Sequence, residues 1–150
     1  MAKADQGPQL ALRTWLVDTG PFIAYMNRRD PAHASVSARL DGFSGQLVTT
    51  GAVVTEVMYF LSGVPGGPVV FAELLVASAA TIVELPEPAS VLAAASLMAR
   101  YSDTPMDFAD ATLVQLADAL GVTDILTLDR RGFSTYRTAK GKAFRLVPFP

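Results

Sequence analysis

Residues 13–18 read Arg-Thr-Trp-Leu-Val-Asp, and the decisive part is the apolar run Trp15-Leu16-Val17 ending on Asp18. A run so short and so apolar reads as a buried strand, with Asp18 emerging at its C-terminal end. The pattern returns at Ile125-Leu126-Thr127-Leu128-Asp129. Between the two, short apolar runs alternate with longer stretches of helical period, which predicts βαβ units around a parallel sheet. The fold class expected is therefore α/β with a central parallel sheet. In such sheets ligands bind beyond the C-terminal ends of the strands, the edge to which Asp18 and Asp129 are assigned.

Working outward, strands are expected over 13–17, 47–49, 81–84, 124–128 and 144–147. Helices are expected over 21–27, 33–43, 51–61, 69–79, 89–101 and 105–120. Residues 62–68, Ser-Gly-Val-Pro-Gly-Gly-Pro, break the chain, and Gly66-Gly67 reads as a flexible link. Gly121 is placed to end a helix in the left-handed conformation. His33, after Asp30-Pro31, is expected to be exposed near a helix start. Tyr25, Tyr59 and Tyr101 are expected in the core, whereas Phe133 and Tyr136 could be core or base-stacking platforms.

At 150 residues the chain is one domain, with residues 1–10 a polar N-terminal extension and 11–150 the folded unit. A hydrophobic fraction of 51% against 17% charged residues marks a globular chain. The absence of cysteine excludes disulfides, thiolate zinc sites and a cysteine nucleophile, and the lone His33 excludes a two-histidine acid/base pair. No signal-peptide core and no membrane-length apolar run is evident, so a cytoplasmic protein is expected. Net charge is −2, an unusual balance for a protein that grips nucleic acid by charge alone. The segment from Arg130 onward nevertheless carries six cations and no acid. It is read either as a phosphate-facing surface, with Arg130, Arg131 and Arg137 as candidate contacts, or as an ordinary solvated face.

Two further acids interrupt apolar helical stripes. Glu56 falls in register with Val53, Val57 and Phe60, and Asp110 with Met106, Leu113 and Ala117. Asp103 and Asp118 show no such conflict and receive no role. A carboxylate in apolar surroundings costs several kcal/mol unless it is neutralised, paired or bound to a metal. Two charges about 5 Å apart repel by about 3 kcal/mol at an effective dielectric near 20. Asp18, Glu56, Asp110 and Asp129 together would thus stay ionised only around a cation. Oxygen ligands without His or Cys suit Mg²⁺ or Mn²⁺ and argue against zinc. Such an ion supports phosphodiester hydrolysis.

Val17-Asp18-Thr19-Gly20-Pro21, the Thr55-Glu56 pair, Pro105 to Ala111 (Pro-Met-Asp-Phe-Ala-Asp-Ala) and Leu126 to Phe133 (Leu-Thr-Leu-Asp-Arg-Arg-Gly-Phe) resemble, in order and spacing, the PIN domain, especially VapC-type toxins of toxin–antitoxin pairs. The resemblance spans 16–149 and implies a Rossmann-like single-domain α/β/α sandwich. It also implies a metal-dependent endoribonuclease, a cognate antitoxin and a homodimer. Asp18, Glu56, Asp110 and Asp129 match the family's acidic positions as catalytic residues. Asp18, Asp110 and Asp129 are the metal-holding candidates, and Glu56 completes the pocket.

Three accessory positions each carry two readings. Asp107 is either a further site acid or part of a cap built with Thr104. Thr19 is either a site hydroxyl or the N-cap of the first helix. Thr127 either orients a water or phosphate or is satisfied within its strand. Other functions fit the same acids: a single-strand or structure-specific DNA nuclease, since carboxylates do not tell RNA from DNA, or a non-cleaving RNA- or protein-binding module of this fold. A haloacid-dehalogenase-type phosphatase would need an acid two residues after Asp18, where Gly20 stands.

Overall fold

The computed structural model describes residues 12–150. The N-terminal extension assigned to 1–10 lies outside the described residues. The chain runs β1 (Thr14–Val17), α1 (Thr19–Met26), α2 (His33–Asp41), β2 (Gln46–Thr50), α3 (Gly51–Leu61), α4 (Gly67–Ala77) and β3 (Thr81–Val83), then α5 (Pro88–Arg100), α6 (Phe108–Leu120), β4 (Asp124–Leu126), α7 (Arg130–Thr135) and β5 (Arg145–Leu146). Among the described residues the five strands form one parallel sheet in the order β3-β2-β1-β4-β5. The chain leads one way from β1 to β2 and β3, then passes back across β1 to β4 and β5, with helices flanking the sheet. The architecture is the expected α/β/α sandwich.

The order reverses between β1 and β4, whose register pairs Leu16 with Ile125 and Val17 with Leu126. Asp18 N–H continues the ladder to the Leu126 carbonyl at 3.1 Å. Beyond this pair the chains diverge into α1 and α7, which opens the crevice that doubly wound sheets use for ligands. The strands beneath it are buried on both sides: Leu16, Val17, Ile125 and Leu126 have no measurable exposure. Each such side chain contributes about 1.5–3 kcal/mol over its exposed state. Trp15 stacks on Phe43 with centroids 3.6 Å apart, and Phe22 meets Phe71 edge-on at 5.2 Å. The first contact ties the segment after α2 to β1, and the second joins α1 to α4.

Several boundaries and placements differ from the sequence reading. α1 starts at Thr19 because Asp18 caps it, and α6 starts at Phe108 because Asp107, not Thr104, is its N-cap. α7 was not expected. Six residues show no helical period, and this helix rests on the Asp129 cap and on burial of Phe133. Gly66, at φ 71°, caps α4, and a Cβ on Gly67 would stand 3.1 Å from the Leu61 carbonyl, so this link is a close-packed turn. His33 is half-buried and its Nδ1 lies 2.9 Å from the Ala24 carbonyl, joining α2 to α1. Tyr59 and Phe60 are exposed rather than core, because α3 turns Val53, Val57 and Leu61 inward instead. Phe133 and Tyr136 are fully buried, which removes them as stacking platforms. Asp118 does have a structural part, accepting the Ala139 N–H at 2.7 Å.

Candidate active site

A cavity of about 360 Å³ opens at the switch point. Six carboxylates line it: Asp18, Asp30, Glu56, Asp107, Asp110 and Asp129. Among the described residues no Arg, Lys or His lines it. The four acids singled out from sequence therefore share one cavity, together with Asp107 and with Asp30, which the sequence reading did not single out. Asp30 sits in a turn after α1, where its side chain accepts the Ala32 N–H at 2.8 Å. The Asp-Pro pair marked that turn, but nothing in the sequence aimed it here.

Four of these acids are held at the starts of three helices. Asp18 caps α1, with Oδ1 accepting the Thr19 N–H at 2.7 Å and Oδ2 accepting the Thr127 hydroxyl at 2.7 Å. The same Thr127 hydroxyl accepts the Asp129 N–H at 3.0 Å. Thr127 thus ties the two strand-end acids together, which is neither role proposed for it from sequence. Asp129 caps α7 by accepting the Gly132 N–H at 2.9 Å. Gly132 is required for this approach, since a Cβ there would stand 2.2 Å from Asp129 Oδ2. Asp107 and Asp110 form a reciprocal capping box at α6: Asp107 Oδ1 accepts the Asp110 N–H at 2.8 Å, and Asp110 Oδ2 accepts the Asp107 N–H at 3.1 Å. The cap and cavity readings of Asp107 coincide. The positive ends of α1, α6 and α7 all face the acids they hold.

Helix dipoles and hydrogen bonds do not offset the burial. Asp18 is 6% exposed and Asp110 9%. Burial is the largest cause raising Asp18 to about 6, against the Thr127 and Thr19 hydrogen bonds that lower it. Burial and then the Asp18 and Asp107 charges push Asp110 up to about 8. Glu56 is half-buried on α3, and burial followed by the Asp107 and Asp18 charges raises it, with no hydrogen bond holding it down. The Thr19 hydroxyl, buried at the cavity wall, has no protein partner among the described residues. Below the cavity, burial and the Asp110 charge push the Tyr136 hydroxyl up. It stays protonated and donates to the Pro105 carbonyl at 2.7 Å, bracing the loop before α6.

The donor set fits a hard divalent cation: carboxylates and one spare hydroxyl, with no imidazole and no thiolate. Among the described residues no three acids already converge into a ligand shell. Mg²⁺ binds through one or two carboxylates and keeps several waters, so a spread set of acids suits it better than a closed cage. The basic residues stand apart from the cavity. Arg130 and Arg131 are exposed on the first turn of α7, and Arg137 folds back to donate to the carbonyls of Ser134, Thr135 and Tyr136 at 2.8–3.1 Å.

A parallel sheet in this order, with an acid-lined crevice at its switch point, defines a Rossmann-like α/β protein. More narrowly, the chain belongs to the PIN domain family, whose model matches residues 15–139. It is 35% identical over 136 residues to Ribonuclease VapC26 of Mycobacterium tuberculosis, covering 89% of this chain and 99% of that protein. The fold is also that of Mycobacterium tuberculosis VapC20, a toxin that cleaves the sarcin-ricin loop. That structure superposes with a TM-score of 0.69 at 18% identity, covering 79% of this chain and 91% of the other.

Proposed function

We propose that this PIN domain is a divalent-metal-dependent endoribonuclease of the VapC type, the toxin of a toxin–antitoxin pair. The observation that carries the reading is the cavity of six carboxylates without a basic partner, two of them buried with raised pKa values. The 35% identity to a ribonuclease over nearly its whole length supports RNA as the substrate.

In this reading Asp18, Asp110 and Asp129 hold Mg²⁺ or Mn²⁺. Bound there, the ion would neutralise a phosphodiester and make water more acidic. The capping box holds Asp110 at the cavity wall, and Thr127 keeps Asp18 turned toward Asp129. Glu56, made more basic by its surroundings and with no hydrogen bond on its oxygens among the described residues, takes the proton of the attacking water when ionised. The spare Thr19 hydroxyl donates to an oxygen of the bound phosphate. Arg130 and Arg131, exposed beside Asp129, meet neighbouring phosphates, whereas Arg137 acts first as a cap on the end of α7.

A cognate antitoxin would occlude the cavity, a homodimer is the expected assembly, and the cytoplasm is the expected compartment. No helix among the described residues is long and apolar enough to cross a membrane. The test is to incubate purified protein, freed of any co-purified partner, with total cellular RNA and Mn²⁺ or Mg²⁺, beside EDTA and Asp110→Asn controls. Discrete fragments that need both metal and Asp110 are expected. Equal cutting of single-stranded DNA would point to a general nuclease, and metal binding without cutting to a binding module.

A further inference from the structure

Tyr59 and Phe108 serve neither the core nor the acidic cavity, since Tyr59 is 76% exposed and Phe108 43%. Tyr59 lies on one stripe of α3 with Ala52, Thr55 and Glu56, at i, i+3, i+4 and i+7. That stripe faces the start of α6, where Phe108 follows the cap Asp107. Between them lies a second cavity of about 500 Å³, apolar apart from two carboxylates. Those two, Glu56 and Asp107, also line the acidic cavity, so the two spaces share one wall. The Thr55 hydroxyl donates to the Gly51 carbonyl at 2.9 Å, so toward a ligand it can only accept.

The geometry points to this apolar cavity as the seat of an unpaired base next to the phosphodiester that is cut, stacked on Tyr59 and Phe108. The inference rests on the ribonuclease reading and deepens it. In a nucleic acid each phosphate joins two riboses, and each ribose carries an uncharged base whose faces can stack on aromatic rings. Glu56 and Asp107 repel a second phosphate from this space, while the two rings offer the surface on which bases of any identity stack. A base reaches such a cavity only when it has left a helix, so the site selects single-stranded or looped RNA. A protein segment could also cover two exposed rings. The wall shared with the acidic cavity favours the base, because its occupant must lie within about one nucleotide of the reacting phosphate.

The experiment compares the parent protein with Tyr59→Ala, Tyr59→Trp and Phe108→Ala on a pool of randomised single-stranded RNA dodecamers with Mn²⁺, reading KM, kcat and the bases flanking each cut. Tyr59→Ala is expected to raise KM by about tenfold, the scale of one lost base–aromatic stack. It should leave kcat within about twofold and flatten the base preference beside the cut. Tyr59→Trp should restore both, and Phe108→Ala should behave like Tyr59→Ala. Unchanged KM and base preference in Tyr59→Ala and Phe108→Ala, with the parent active, overturn the subsite alone. An inactive parent overturns the ribonuclease reading and the subsite with it. Unchanged cleavage together with loss of a co-produced partner protein from Tyr59→Ala assigns the surface to that protein and also overturns the proposal.

Discussion

The two ends of the sheet treat acids in opposite ways. At the N-terminal end, Asp124 opens β4 and accepts both Nε and Nη2 of Arg145, whose side chain is largely in water. At the C-terminal end, Asp18 and Asp110 are buried among other acids, and among the described residues no basic side chain lines their cavity. The first arrangement is complete and worth little, because an exposed ion pair contributes about 0–1 kcal/mol. The second is incomplete within the chain: the fold crowds like charges that only protons or an external cation can neutralise. An acid that already has its guanidinium maintains structure, and acids left without one hold a place for a ligand.

That contrast breaks most sharply at Asp110. Asp110→Asn is expected to lower metal-dependent cleavage by about 10³-fold, the rate equivalent of several kcal/mol, with the fold intact by circular dichroism. An unfolded variant would make Asp110 a structural acid. Gly132→Ala comes next. Its methyl would meet Asp129 Oδ2 at 2.2 Å and the Tyr136 hydroxyl at 3.0 Å, so Asp129 must move. Cleavage should fall about 10–100-fold with about 1–3 kcal/mol lost in urea unfolding, and an unaffected rate would remove Asp129 from the site. Thr127→Val deletes one donor to Asp18 and one acceptor for the Asp129 N–H at nearly constant volume. It should weaken Mn²⁺ binding by about tenfold in calorimetry and cost about 1–2 kcal/mol. The smallest effect belongs to the other end of the sheet: Arg145→Gln should change stability by less than about 1 kcal/mol and leave cleavage untouched.

Most of the fold was legible because its central strands β1, β2 and β4 are largely buried and its long helices are periodic. α3 runs over Gly51–Leu61 as expected, and the four acids picked for their positions do line one cavity. What escaped reading depends on tertiary contact. α7 is too short to show a period and forms because Asp129 caps it and Phe133 finds the core beside Phe144 and Tyr136. Tyr136 lies in the most basic stretch of the chain, yet it is buried where Tyr101 packs edge-on against it at 5.1 Å. Phe60 fits the apolar stripe of α3 on a helical wheel but lies on its outer margin, at the mouth of the acidic cavity. Asp30 reaches the cavity only through the turn between α1 and α2.

The central claim is that the carboxylates at the switch point await a divalent cation, and the thermal stability of metal-free protein against pH tests it directly. Asp18 and Asp110 are raised to about 6 and about 8 in the folded state, above the ordinary carboxylate range. Between those limits the native state keeps protons that the unfolded chain has released, so stability is greatest near pH 4 and falls as pH rises toward 8. Mn²⁺ binds the ionised form and should reverse that loss at pH 8, raising the melting temperature by several degrees, roughly 4–8 °C per kcal/mol at the smaller domain sizes and less here. Asp110→Asn should melt higher than the parent without metal and gain little from Mn²⁺. A parent whose melting temperature is flat with pH and indifferent to Mn²⁺ would contradict the account.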